Sequence, residues 1–364
     1  MFHYCFSKRG WQAFRQGPSV PAGKTVTKFY TSCTAVLTLL MLFFFSAGCS
    51  GSKEIPLSNP PEDKPVRVFC TIYPLYDFAK NIGGDKIDLY CLVPPGTEPH
   101  QWEPSPKDLA QIQKADLLIY CGAGMESWID KVLKVVAGPG LTVVEASGDI
   151  QLLSSQGNGD EPGAGPEENT ETQSRTTGSG KVRELHPAAD PHIWVDPVNA
   201  MKIVDSITAG LTNADPANEL FYEIRAREYL NKLEALDSAF RAGLAGAPRR
   251  EFVTSHAAFG YLARRYDLVQ IPIRGLSPEA EPTPARMAEI IKLINKEKIR
   301  YIFFETMVSP KVSQIIADEA GVETLVLNPV GNLTTEELAS GKDYLSVMRE
   351  NLSNLQKALE VVEP

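Results

Sequence analysis

Five histidines are spread over 364 residues, and three of them stand where a side chain could do chemistry. His192 lies in Asp190-Pro191-His192-Ile193-Trp194-Val195-Asp196-Pro197. Prolines 191 and 197 fix φ and push the residues before them towards extended geometry, so this imidazole rides on a stiffened loop. His100 comes soon after one apolar strand-like run and His256 directly after another. Neutral imidazole is the commonest protein ligand for metal ions, and zinc–nitrogen bonds are about 2.0–2.1 Å long. The chemistry on offer is therefore metal binding by three rings. Position alone leaves two readings for each ring: a ligand to a shared ion, or a hydrogen-bonded surface or cap histidine. The separations of 92 and 64 residues match no local ligand motif.

Other groups compete for a place beside the rings. Glu305 ends a strand at the same edge as His256, as a ligand, as an acceptor for an imidazole N–H, or as a helix-start carboxylate. Glu98 and Glu103 flank His100 and read as solvated charges. His186 reads as a plain loop residue that could also capture passing cations.

The elements that must position these residues alternate strand and helix. Strands are expected at 66–72, 87–93, 115–120 and 141–146, with helices at 75–82, 105–114 and 126–136 between them. Ser105 caps the second helix with Pro106 in its first turn. A later set repeats the pattern, with strands at 251–254, 268–273, 300–304 and 323–327. Its helices fall at 257–266, 284–297 (capped by Thr283) and 310–320, and 344–359 closes the chain. Such alternation implies βαβ units and an α/β fold of two mainly parallel sheets flanked by helices. Ligands then sit outside the carboxyl ends of the strands, where His100 and His256 fall. Between the halves, 198–211 is helical and 216–244 forms one long helix, with Leu220, Ile224, Leu230, Leu233, Leu236 and Phe240 near 3.6-residue spacing. At 1.5 Å per residue it reaches about 40 Å, enough to join two lobes.

The expected organisation follows: a signal peptide at 1–48, a tether at 49–64, a first lobe at 65–215, the linking helix at 216–244 and a second lobe at 245–364. The leader has a basic flank at Lys24 and Lys28 and an apolar run from Ala35 to Phe45. That run is too short for the ~20 residues of a spanning helix, so secretion fits better than a permanent span. The first twenty or so residues are long for such a leader, which points to a start downstream of Met1. Ser46-Ala47-Gly48-Cys49 resembles a bacterial lipobox, which implies acylation of Cys49. Cys70, Cys91 and Cys121 then remain, an odd number without CxxC spacing, and read as small buried hydrophobes. The leader holds five Lys/Arg and no acid, so its removal takes the formal charge from −9 to −14, suited to attracting cations. No basic cluster suggests nucleic acid. Within the first lobe, 154–189 is rich in Gly, Ser, Thr, Glu and Pro, too long and polar for a packed loop, and reads as an acidic disordered insert.

Six stretches carry a family resemblance: TIYPLYDFAKNIGG, PGTEPHQWEPSPKDL, ADPHIWVDPVNA, FVTSHAAFGYLARRYDL, GLSPEAEPTPARM and FFETMVSPKV. From about Val66 onwards the chain resembles the zinc- and manganese-type receptors (cluster A-I, or cluster 9) of bacterial ABC importers. The resemblance implies two α/β lobes joined by a rigid helix, metal held at their interface, and His100, His192 and His256 as ligands. It implies a lipid-anchored monomer on the outer face of the cell membrane, passing its ion to a permease with its ATPase. Such receptors often take a fourth ligand, Asp or Glu, from the loop after the last strand. Here that loop reads Leu327-Asn328-Pro329-Val330-Gly331-Asn332, which leaves Asn328, Glu305, a water or an acid of the long insert to complete the shell. Three nitrogens suit Zn²⁺, whereas Mn²⁺ favours more oxygen donors. A third histidine and an insert before His192 resemble the zinc branch, although that branch's insert is usually His-rich and this one holds only His186. Manganese or iron is the alternative cargo. A zinc hydrolase using Glu305 or Glu98 as base lacks any HExxH or nucleophile motif. An adhesin is required by no residue.

Overall fold

The computed structural model describes residues 64–136, 138–154 and 189–361. The leader, Cys49, nearly all of the tether, and residues 155–188 of the acidic insert with His186 lie outside the described residues. Four parallel strands, β1 (Val66–Cys70), β2 (Ile87–Cys91), β3 (Leu117–Tyr120) and β4 (Thr142–Glu145), form a sheet in the order β2-β1-β3-β4. A second sheet repeats that order as β6-β5-β7-β8, from β5 (Glu251–Thr254), β6 (Val269–Pro272), β7 (Tyr301–Phe304) and β8 (Glu323–Val326), again all parallel. In each sheet the chain steps one way from the central strand and then jumps to its other side. That reversal opens a crevice at the strands' carboxyl ends.

The helices start where the local chemistry says they should. Among the described residues these are α1 (Tyr73–Gly83), α2 (Pro106–Ile112), α3 (Ile129–Val136), α4 (Pro197–Ala214), α5 (Glu219–Leu244), α6 (Gly260–Arg265), α7 (Pro284–Glu297), α8 (Lys311–Ala320), α9 (Thr335–Ala339) and α10 (Tyr344–Ala358). Ser105 and Asp108 form a capping box on α2, Thr283 accepts from Arg286 N–H on α7, and Asp196 accepts from Val198 N–H on α4. Helix α3 begins three residues later than its apolar pattern suggests. The Glu126 carboxylate turns back to accept from Cys121 and Gly122 N–H, which keeps that stretch in a turn.

Alternation along the strands sorts the core into layers. Val68, Cys70, Leu117 and Ile119 face one cluster, while Phe69, Leu118 and Tyr120 face an outer one under α2 and α3. In the second sheet Phe252 and Phe303 join the first of these clusters, and Val253 and Ile302 an outer one under α7 and α8. The inner cluster thus runs through both lobes without a break, and α5 packs on α1 and α4 of the first lobe and α10 of the second. Cys70 and Cys121 are buried free thiols and Cys91 is a half-buried one.

One expectation needs correcting. Leu220 and Ile224 are 68% and 52% exposed, so the buried stripe of α5 does not start with them. Its first turns bury Tyr222, Ala226 and Tyr229 instead. Tyrosine can take these places because its hydroxyl finds a partner: Tyr222 donates to Asp215 at 2.7 Å and Tyr229 to Asp77 at 2.9 Å. From Leu233 through Leu236 to Phe240 the stripe is as its spacing predicts.

Candidate metal centre

His256 lies two residues past the end of β5, and Glu305 directly follows β7, the neighbouring strand across the crevice of the second sheet. His192 opens a short 3₁₀ turn (Ile193–Val195) before α4, and His100 sits in another (Pro99–Gln101) after β2. These elements bring the three rings together. His100 Nε2 is 3.0 Å from His192 Nε2, and His256 Nε2 is 3.3 Å from the same atom. The three ligand atoms all lie within 4.8 Å of one another. Two nitrogens bound to one tetrahedral zinc at about 2.05 Å would stand roughly 3.3 Å apart. The two spacings to His192 are near that of a metal's coordination edge.

Carboxylates behind the rings decide which nitrogen faces inward. Asp190 Oδ1 lies 2.8 Å from His192 Nδ1 and also accepts from the His192 backbone N–H at 2.9 Å. Glu305 Oε1 lies 2.6 Å from His256 Nδ1 and takes the Ser255 hydroxyl as well. This bonding assigns the hydrogen to Nδ1 in both rings, so each Nε2 presents a lone pair. Two lone pairs 3.3 Å apart repel unless a cation lies between them. Asp190, His192, His256 and Glu305 are each at most 4% exposed, so water screens little of that field. Burial, with the two neighbouring rings, pulls the His100 pKa down to about 3. Burial lowers that of His192 as well, over the opposing pull of Asp190. For His256 burial acts in the same sense, but Glu305 overrides it and holds the pKa above its ordinary value.

The space among the rings is about 20 Å³, lined by Glu98, Met125, Trp194 and Met307 among others. That is room for about one water or ion. Glu305 reaches His256 on the far side of the ring, so it stands behind that histidine. Asn328 is buried with its amide in use, accepting from Val330 N–H at 2.8 Å and donating to Thr306 and Glu337 at 3.1 and 3.3 Å. Glu98 accepts from His100 N–H at 3.2 Å, and burial raises its pKa. Asp190 is a partner that the ring positions alone do not reveal. Its Asp-Pro-His spacing was the available signal, since an Asp side chain readily bonds the backbone two residues on.

Residues 68–358 match the model of the family described as the periplasmic component A of zinc-uptake complexes. The chain belongs to this family. It is 38% identical over 330 residues to the zinc-binding lipoprotein AdcA of Streptococcus pneumoniae, a match covering 91% of this chain and 62% of that protein. The chain thus spans about three-fifths of the length of that relative. It is also 38% identical over 328 residues to the high-affinity zinc uptake system protein ZnuA of Bacillus subtilis, covering 90% and 98% of the two. The Zn(II)-bound ZnuA-like domain of pneumococcal AdcA superposes with a TM-score of 0.67 at 38% identity, over 82% of this chain and 100% of that one. A laminin-binding protein of Streptococcus agalactiae, described as a bifunctional adhesin and metal transporter, gives 0.68 at 29% identity over 81% and 100%.

Proposed function

We propose that this family member is the extracytoplasmic receptor of an ABC importer for Zn²⁺, with His100, His192 and His256 as its ligands. One observation carries the reading: three imidazole nitrogens converge at coordination distances, two of them with the tautomer fixed by a buried carboxylate. Three nitrogen donors favour Zn²⁺ over Mn²⁺. Glu305 acts as the acceptor behind His256 and Asn328 as a loop-folding amide. The domain limits inferred from the sequence, acylation at Cys49 and a monomeric state belong to the same proposal.

On this reading the site is one for binding. A space of about 20 Å³ accepts the ion and excludes a peptide or sugar. Because one apolar cluster fills both lobes, delivery to the permease and its ATPase proceeds by small local loosening instead of a wide hinge. Among the described residues no helix is long and apolar enough to cross a membrane.

Elemental analysis of the purified protein, followed by Zn²⁺/Mn²⁺ competition, tests the cargo. His192→Ala is expected to lower zinc affinity by a factor of about 1,000 or more while the circular dichroism spectrum stays native. A zinc titration in that variant indistinguishable from wild type would reject His192 as a ligand.

A further inference from the structure

His192 and His256 are each pinned by a carboxylate, and each is 2% exposed. His100 is half-buried, and no hydrogen-bond partner among the described residues holds its Nδ1. Something else must keep that ring in place. Its loop begins with the turn Pro94-Pro95-Gly96-Thr97, closed by a Thr97 N–H to Pro94 carbonyl bond of 3.2 Å with Gly96 at φ 76°. Glycine is needed there because the third position of such a turn has positive φ.

The second lobe grips this turn at three points. Asn332 donates both amide hydrogens across the lobes, to the Pro94 carbonyl at 2.7 Å and the Thr97 carbonyl at 2.8 Å. Its own Oδ1 accepts from Leu333 N–H at 2.9 Å, so the amide is satisfied on both sides, and the residue is 2% exposed. The Leu333 carbonyl accepts from Gly96 N–H at 2.9 Å. The same loop meets the other histidine turn, where Trp194 Nε1 donates to the Pro329 carbonyl at 2.6 Å. The loop after β8, which brings no carboxylate to the site, thus fastens the two first-lobe ligand loops to the second lobe.

We propose that Asn332 is a positioning residue for the metal site: its amide holds the His100 turn against the second lobe and sets how slowly the ion leaves. The inference rests on the zinc-receptor reading above. Breaking the latch strands two carbonyls and lets His100 withdraw, while the ion stays on the two pinned rings until it escapes. Association is governed by the two fixed rings and the charge of the site, so the effect falls on dissociation.

Stopped-flow zinc exchange with a fluorescent chelator tests this on Asn332→Ala and on Asn332→Leu, which nearly keeps the size, adds no charge and cannot donate. Both variants are expected to release zinc roughly 10- to 100-fold faster with little change in association rate. A cycle with His100→Ala separates positioning from general support. If the latch works through His100, Asn332→Ala lowers zinc affinity in the wild-type background and adds nothing when His100 is already gone. Unchanged release in both variants, or an equal loss in both backgrounds, would overturn the proposal. Failure of the zinc-receptor reading looks different, since the wild-type protein would then hold no zinc for the chelator to collect.

Discussion

Replacing Glu305 with Gln alters one atom behind His256 and leaves the three proposed ligands untouched. The carboxylate oxygen sits 2.6 Å from Nδ1. Adding the width of the ring and a zinc–nitrogen bond of about 2.05 Å puts the charge roughly 6.5 Å from the ion. With an effective dielectric of about 20, a −1 charge and a +2 charge at that distance attract by roughly 5 kcal/mol. Much of this is offset by the cost of keeping a carboxylate buried, since Glu305 is only 3% exposed. Glutamine still accepts from Nδ1–H through its amide oxygen, so the ring keeps its orientation. The expected net loss is about 10- to 100-fold in zinc affinity, the usual effect of altering such a partner. Competition with a chelator of known affinity measures it, and the visible spectrum of the Co²⁺-substituted protein should keep its shape. A loss as large as that of His256→Ala, with a changed Co²⁺ spectrum, would mean that Glu305 binds the ion itself and would refute the reasoning.

Two further outcomes follow from the interior. Asp77 is buried beneath α5, and burial raises its pKa to about 6, over the opposing pull of the Tyr229 hydroxyl. Between its ordinary value of 3.8 and about 6 the folded protein holds the extra proton, so stability falls as pH rises through that window. Urea denaturation at pH 4.5 and pH 7 should show this contribution, on the order of 2–3 kcal/mol, shrinking in Asp77→Asn; an unaltered pH dependence in the variant would count against it. On α5, Leu236→Ala should cost about 2–5 kcal/mol and Leu220→Ala less than about 0.5, since Leu236 is 1% and Leu220 68% exposed. Equal midpoints in a thermal melt would contradict this assignment of faces.

What the sequence discloses depends on how locally each feature is determined. The strand–helix alternation, the caps at Ser105 and Thr283 and the proline-stiffened turn around His192 are set by residues within a few positions, and all are present in the fold. His100 and His256 could be selected because each trails a strand at a sheet's carboxyl edge. The first half of α5 departs from its apolar spacing because that spacing cannot show that Tyr222 and Tyr229 have acids waiting for their hydroxyls. In the sequence Asn332 is one residue of a loop without a carboxylate. Its partners are 235 and 238 residues away, and no local pattern announces them.

The continuous inner cluster has a thermodynamic corollary. With Phe78 of the first lobe and Phe303 of the second in one apolar body, neither half can melt by itself without exposing the other. Calorimetry would then register a single transition, and an ion seated at the histidines would raise the melting temperature of the whole described chain. On the zinc-receptor reading proposed above, the metal-free form would then be the more easily unfolded one.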